Sequence, residues 1–394
     1  MAESKQPLVP MSSPDLTDAE REAVSAVMNT PNLSMGSQVL AFEDAFREYS
    51  GRKHAIAVNS GTAGLHLCVR ASGICRGDLV ITTPFSFVAT VNVLLYEGAI
   101  PVLVDVDPET GNIDPALVAQ AVADLSHGGD PAKKRLPRRG AEASGSLKAI
   151  ETVDVFGQPA DYDPIAKVAA DYGLEIIEDS CESLGAEYKG RKAGTLGDSA
   201  VFAFYPNKQI TVGEGGMILT DDDDKANLMR SLRNQGRAVG DTWLQHTYLG
   251  YNYRLDELSS ALGVAQMKRL PELLQKRQRV ADWYNMRLAG IDGVKPYAIS
   301  PHTTKPSWFV YVVKTDPEVQ RDELAAKLSA RGVPVRPYFL PIHLQPYMVE
   351  QFGYQPGDFP VTEDLGRRGL ALPFSGVMTE EQVELVCRML SECL

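Results

Sequence analysis

SAVFAFYPNKQITVGEGGMILT, residues 199–220, places a lysine where lysines are costly. The apolar run Ala200 to Tyr205 leads toward it. A second apolar run, Met217 to Leu219, follows Gly213, Gly215 and Gly216. Each run reads as a strand, and the link of about ten residues has no helical pattern, so one strand of the pair is expected to run antiparallel. The glycines allow close backbone approach. A lysine buried there must be paired or neutralised, and an amine stripped of water is a nucleophile toward aldehydes. Lys208 by itself reads as an ordinary surface lysine; its surroundings decide otherwise.

Outward from this pair, apolar runs alternate with helical stretches. His54 to Val58, Leu79 to Thr82, Ile100 to Val104, Leu147 to Val153 and Leu174 to Asp179 read as strands. Helices are expected at 17–28, 38–49 and 161–172, and after each of the first two strands. Short apolar strands alternating with helices predict an α/β fold with a mainly parallel sheet covered by helices on both faces. Beyond residue 256 the pattern changes. A charged helical stretch to Gly290 is interrupted at Pro271. WFVYVVK at 308–314, a helix near 319–330, VPVRPYF and a final helix near 379–392 predict a smaller C-terminal α/β domain. The expected division is 1–255, a large domain with an N-terminal segment, and 256–394.

The 394 residues carry a net charge of −12, which argues against a nucleic-acid binder, since such a protein needs a basic face. No apolar run reaches the roughly 18 residues of a membrane span, and MAESKQPLVPM lacks a signal-peptide core. A cytoplasmic protein is expected. The five cysteines have no CxxC spacing and the six histidines no HExxH pattern, so no disulfide framework and no metal centre are expected. One segment stands out. Residues 126–147 hold Lys133, Lys134, Arg135, Arg138 and Arg139, read as a solvated insertion loop or as a basic flap near an anionic substrate.

In parallel sheets, ligands bind beyond the carboxyl ends of the strands. After the first strand, Ser60, Gly61, Thr62 and Ala63 open a helix whose N–H groups could cradle a phosphate; a helix cap by Ser60 explains them equally well. After the second strand, Phe85 or Phe87 could face a flat ligand or belong to the core. After LEIIE comes Asp179, either a turn cap or the partner of a protonated ring nitrogen. Glu182 follows. Together, a phosphate cradle, an aromatic plate, an acid for a pyridine nitrogen and a reactive lysine form the set that pyridoxal 5'-phosphate requires. No GxGxxG follows the first strand, which weighs against a dinucleotide oxidoreductase.

Five blocks in order carry a resemblance across nearly the whole chain: LSMGSQVLAFEDAFREYSGRKHAIAVNSGTAGLHL, PFSFVATVNVLLYEGAIPVLVDVDPETGNID, the catalytic block EDSCESLGAEYKG through TDD, LGYNYRLDELSSALGVAQMKRL and VPVRPYFLPIHLQPY. The sequence resembles the DegT–StrS family of fold-type I, pyridoxal phosphate-dependent sugar aminotransferases. The resemblance implies that Lys208 is the Schiff-base lysine and that Asp179 faces the pyridine nitrogen. It implies that Glu182 stands near the ring hydroxyl, that Phe87 stacks on the ring, and that Gly61 and Thr62 bind the phosphate. Asn252 matches a residue that reaches the cofactor phosphate of a neighbouring subunit, which implies a homodimer with active sites at its interface.

The resemblance further implies glutamate as amino donor, pyridoxamine phosphate as the intermediate carrier, and a sugar-nucleotide acceptor. Arg336, Tyr338 and His343, with GDFPVTEDLGRRGLALPF, look most like enzymes of the perosamine-synthase type, acting at C4 of a 4-keto-6-deoxy sugar. His343 reads equally as a hydrogen-bonded loop histidine. Aminotransferases for 3-keto sugar nucleotides or cyclitols share these motifs, and a non-catalytic cofactor-binding scaffold is the alternative of another class. Lys208 separates the chain from a related branch with histidine there, which performs 3-dehydration. Two departures are visible. Ala203 replaces a serine that donates to the phosphate, and Glu182 replaces the usual Gln or His. A carboxylate beside a phenolate oxygen is unfavourable, so Glu182 is expected to be protonated or turned toward a cation or a substrate hydroxyl.

Overall fold

A computed structural model describes residues 7–141 and 145–394. Two helices, α1 (Asp18–Met28) and α2 (Ser37–Ser50), precede the first strand, β1 (His54–Val58). Then come α3 (Gly61–Ala71), β2 (Leu79–Thr82), α4 (Ala89–Tyr96), β3 (Ile100–Leu103), α5 (Pro115–His127) and α6 (Gly129–Arg135). They are followed by β4 (Leu147–Val153), α7 (Tyr162–Tyr172), β5 (Glu175–Asp179) and two short strands, β6 (Glu187–Tyr188) and β7 (Arg191–Lys192). The opening stretch supplies β8 (Ser199–Ala203) and β9 (Gly216–Thr220), with α8 (Asp223–Arg233) after them.

Seven of these strands form one sheet in the order β1-β9-β8-β5-β4-β2-β3. β9 is antiparallel to both β1 and β8, while every other pairing is parallel. The mainly parallel sheet and its one reversed strand therefore match the reading of residues 199–220. The strands are buried almost throughout, as expected when helices cover both faces. On one face, Phe42 and Phe46 of α2 pack on Phe202 and Phe204, with Phe46 centred 5.8 and 5.4 Å from the two rings. Where β9 enters the sheet, a side chain on Gly216 would lie 2.6 Å from the carbonyl oxygen of Ser60. Only glycine lets this strand pass the start of α3.

The C-terminal part begins with α9 (Glu257–Lys268) and α10 (Leu270–Leu288). Pro271 sits in the first turn of α10, where it starts a helix without breaking one. Glu257 accepts the N–H groups of Gly36, Gln38 and Val39 at 2.9, 2.8 and 3.1 Å, so α9 caps α2. Then follow β10 (Val294–Pro296), β11 (Thr303–Lys305), β12 (Tyr311–Thr315), α11 (Arg321–Ala330), β13 (Arg336–Pro337) and α12 (Pro346–Phe352). The chain ends with α13 (Pro360–Arg368), β14 (Gly369–Leu372) and α14 (Glu380–Cys393). A four-stranded antiparallel sheet, β10-β12-β14-β13, packs on α10 and α14 around Tyr284, Tyr311, Leu370 and Leu390. Val9, from the N-terminal segment, is buried in this same core.

The basic segment is not a simple loop. Residues 129–135 form α6, and Arg138 and Arg139 bond the α12 region: Arg138 pairs with Asp358, and Arg139 reaches the carbonyl of Val349 at 2.8 Å. Its residues 142–144, like the N-terminal MAESKQ, lie outside the described residues. Among the described residues, no helix is long and apolar enough to cross a membrane.

Candidate active site

The carboxyl ends of β1, β2, β5 and β8 converge at one edge of the large sheet. Asp179, the last residue of β5, is only 5% exposed there. One carboxylate oxygen accepts the hydroxyl of Thr90 at 2.8 Å and the other the N–H of Cys181 at 3.2 Å. Ser86 continues the chain, 2.9 Å from Thr90. The turn after β2 thus orients the acid but leaves it without a cationic partner within 4 Å among the described residues.

Lys208 lies four residues beyond Phe204, in a turn closed by its own N–H to the carbonyl of Tyr205 at 2.9 Å. Its side chain is 12% exposed, and Nζ stands 3.8 Å from Glu182 Oε1. The same Nζ lies 3.7 Å above the centre of the Phe309 ring, a cation–π contact. Two buried side chains hold this turn. Arg277 donates to the carbonyls of Asn207 and Lys208 on one side, and to those of Trp308 and Phe309 on the other. Gln209 Nε2 bonds the carbonyl of Glu182 at 2.6 Å and Ser307 Oγ at 2.9 Å. The lysine is therefore fixed from the main chain while its amine keeps freedom at the tip.

Glu182 is buried, and its second oxygen accepts the N–H of Phe156 at 3.0 Å. Burial pushes its carboxyl above the ordinary value, and the positive charge of Lys208 pulls the other way. Its position facing Lys208 agrees with the expectation that it turns toward a cation.

Ser60 Oγ accepts the N–H of Ala63 at 3.0 Å, so this serine caps α3. The N–H groups of Gly61 and Thr62 make no hydrogen bond within the described residues. A Cβ at Gly61 would come within 2.8 Å of Ala203 Cβ and 2.9 Å of Cys181 Sγ, so the start of α3 is pressed against both β8 and the Asp179 turn. Phe87 is 64% exposed beside this edge, whereas Phe85 is fully buried in the core. Asn252 is exposed; its carbonyl accepts from Asn59 at 3.2 Å. The loop before it exposes Val239, Trp243, Leu244 and Leu249.

Arg336 and Tyr338 line a cavity of about 570 Å³ together with Tyr205, Asn207, Phe309 and Met11. His343 does not reach it. That histidine is fully buried, its Nε2 3.1 Å from Glu363, its ring edge-on to Phe359. The loop-histidine reading fits the structure, and substrate contact by this side chain does not.

Thr90, Phe309, Arg277 and Gln209 were not singled out from sequence. Thr90 had a signal, as a hydroxyl near the start of an otherwise apolar helix. Arg277 had none, because α10 is charged throughout.

The donor set suits pyridoxal phosphate. Among the described residues, a buried acid lacks a cation, a buried oxygen of Asn207 beside Lys208 has no partner, and the N–H groups of Gly61 and Thr62 make no hydrogen bond. Asp179 would hold the ring nitrogen, Lys208 the aldehyde, and Gly61 and Thr62 the phosphate.

The family model for DegT/DnrJ/EryC1/StrS aminotransferases matches residues 14–391. The chain is 38% identical to GDP-perosamine synthase of Caulobacter vibrioides, covering 99% of this chain and 100% of that protein. It is 32% identical to GDP-perosamine synthase of Escherichia coli O157:H7, covering 98% of each. A DegT DnrJ EryC1 StrS aminotransferase from Brucella abortus superposes with a TM-score of 0.83 at 31% identity, over 95% of this chain and 94% of that one.

Proposed function

This chain belongs to the DegT/DnrJ/EryC1/StrS family of pyridoxal phosphate-dependent aminotransferases, and from that premise we propose that it moves an amino group from glutamate to C4 of a 4-keto-6-deoxy sugar nucleotide. The observation that carries the reading is Lys208, its amine screened from water between Glu182 and Phe309 and sharing a strand-end cluster with Asp179. Full-length similarity to the two GDP-perosamine synthases supports the choice of acceptor.

The bound cofactor supplies a carbonyl for capturing an amine and an electron-poor ring that stabilises negative charge at the adjacent carbon. Asp179, its orientation fixed by Thr90, would hold the proton of the ring nitrogen. Lys208 Nζ would hold the cofactor and, once freed, would act as general base and acid, taking the proton from the donor's α-carbon and delivering one to C4 of the sugar. Glu182 stands beside the amine and would face the ring hydroxyl. Phe87 would cover one face of the ring. The first turn of α3 would bind phosphate through main-chain N–H groups, with Ala203 contributing no hydroxyl. Arg336 and Tyr338, at the mouth of the cavity, position the substrates.

The same reading includes a homodimer, in which Asn252 reaches the partner's phosphate; the exposed apolar side chains at 239–249 supply a surface suited to burial by a second copy. It places the enzyme in the cytoplasm, a reducing setting for free Cys68, Cys75, Cys181, Cys387 and Cys393. It also keeps the division near residue 256, supported by the separate sheet and core built by the later strands.

The test has two arms. Borohydride reduction of the pyridoxal phosphate-loaded protein, followed by peptide mapping, is expected to label Lys208, and Lys208→Ala to lose turnover. Incubation with glutamate and a panel of keto sugars is expected to yield the 4-amino product. Amination at C3, or of a cyclitol without nucleotide, would replace the C4 assignment.

A further inference from the structure

Behind Asp179, on the opposite face of the sheet, lies a second pair of acids that the aminotransfer chemistry does not use. Asp154 follows β4 directly, and Glu178 precedes Asp179 on β5; both are fully buried. Ser180 stands between them, its Oγ 2.8 Å from Asp154 Oδ2 and 2.7 Å from Glu178 Oε1.

A hydroxyl has one hydrogen to give. If both acids were ionised, Ser180 could satisfy only one contact, and the other would set two bare oxygens against each other at hydrogen-bond distance. The spacing therefore requires a proton on one carboxyl. The partners say which one. Glu178 accepts three main-chain N–H groups, from Gly194, from Leu196 at 2.9 Å and from Gly197 at 3.1 Å. Those donors cannot turn away or accept in return, so they hold Glu178 as a carboxylate. Asp154 Oδ2 meets only hydroxyls, Ser180 and Ser183, the latter at 2.7 Å, and hydroxyls can accept as well as donate. Its other oxygen takes Tyr162 OH at 2.9 Å and the N–H of Ala160 at 3.1 Å.

Among the described residues, the remaining surroundings offer no countercharge. Tyr162 of α7 faces the pair, and Tyr188 of β6 packs on Tyr162, its hydroxyl bonded to Asp161. Glu178 is the charge that faces Asp154, and among the described residues neither acid forms a salt bridge with a cation. Burial, then the charge of Glu178, raises the Asp154 carboxyl far above the usual range.

We propose that Asp154 is a positioning residue that stays protonated in the working enzyme and links through Ser180 to Glu178, pinning the turn that presents Asp179 and Glu182. The connection to the site is direct. The Asp154 N–H donates to the Asp179 carbonyl at 3.1 Å, and Ser183, bonded to Asp154, flanks Glu182. The inference rests on the cofactor reading only in what the turn is held for; the shared proton stands apart from it.

Infrared difference spectra of wild type against Asp154→Asn, at neutral pH, test the proton itself. Loss of a neutral-carboxyl band is expected; no lost band, or a band lost only in Glu178→Gln, would overturn the proposal. The dissociation constant of pyridoxal phosphate tests the positioning. Asp154→Ala and Ser180→Ala are expected to weaken binding about tenfold. Asp154→Asn, which keeps a neutral donor, should stay within about twofold of wild type. Wild-type affinity should fall more steeply than that of Asp154→Asn as pH rises above neutral, because burial and Glu178 hold the Asp154 carboxyl above its ordinary value. An asparagine variant as weak as the alanine would show that a carboxylate is needed, against the proposal. Absence of label on Lys208 would instead remove the cofactor reading and leave the infrared result standing.

Discussion

Glu178 and Asp179 are consecutive residues of β5, both buried, and the alternation of a strand sends them to opposite faces of one sheet. On one face, Glu178 is met by three main-chain N–H groups and a serine. On the other, Asp179 receives one hydroxyl and one N–H, and no cation. The difference separates two uses of a buried acid. A carboxylate saturated by local backbone holds loops together. One left under-supplied, at the carboxyl end of its strand, is reserved for something that arrives.

The comparison predicts a crossed pair of outcomes, and here the largest effects are expected. Asp179→Asn keeps an acceptor for Thr90 but cannot hold a ring proton. Turnover should fall by about 10²–10³-fold, with thermal unfolding nearly unchanged. Glu178→Ala strands three buried N–H groups and should cost about 3–5 kcal/mol of stability. Any protein that remains folded should keep the lysine-linked absorbance at saturating pyridoxal phosphate. Calorimetry and steady-state rates on both variants decide it. An active Asp179→Asn, or an unaffected melting temperature in Glu178→Ala, would break the comparison.

Much of this was legible in the sequence, for physical reasons that can be named. Strand ends were visible because apolar runs such as LEIIED stop abruptly at a charge. Lys208 and Asp179 were visible because a charge at the end of such a run needs a reason. The reversal of β9 was visible from a link too short for a crossover helix. What stayed hidden depends on spatial neighbours distant in sequence. Asp154 and Glu178 read as ordinary polar positions until the fold sets Ser180 between them. Arg277 lies 69 positions beyond Lys208, on a helix whose charges look solvated. His343 was ambiguous because burial, not residue type, decides its role. The basic run at 133–139 read as loop because its helix, α6, is too short to show a period.

Glu151 sharpens the comparison at a smaller scale. It lies on β4 two positions before Val153, which pairs with Asp179, and so shares the Asp179 face. Both its oxygens are buried without any partner. Burial, then the nearby Asp179 charge, raises its carboxyl well above 4.5. The sign follows. A carboxyl raised on folding binds its proton more tightly in the native state, so its contribution is fully present below the unfolded value and is lost as pH rises through the folded one. Glu151→Met should therefore raise stability by about 1–3 kcal/mol, and its advantage over wild type should grow with pH. Melting curves between pH 5 and 9 measure this. A variant less stable than wild type at high pH would mean that Glu151 has a partner the apolar side chain cannot replace.

The smallest effect is expected where acid and base meet at the surface. Arg138 forks onto Asp358, with Nη2 2.6 Å from Oδ1, and this guanidinium is the first cause holding the Asp358 carboxyl below its ordinary value. That pair has both charges supplied, the opposite condition to Asp179, and none of the basic residues at 133–139 lines the cavity near Lys208. The segment therefore reads as a staple to the α12 region, not as a flap over substrate. Because the Asp358 value is depressed, the pair's contribution is present above the unfolded carboxylate value and fades as pH falls through the folded one. Arg138→Ala should lower the melting temperature slightly at neutral pH and not at all in acid, with KM for the sugar nucleotide unchanged. A several-fold rise in KM, relieved by low salt, would instead make the basic segment a substrate-facing element and move Arg138 to the side of the comparison where Asp179 stands.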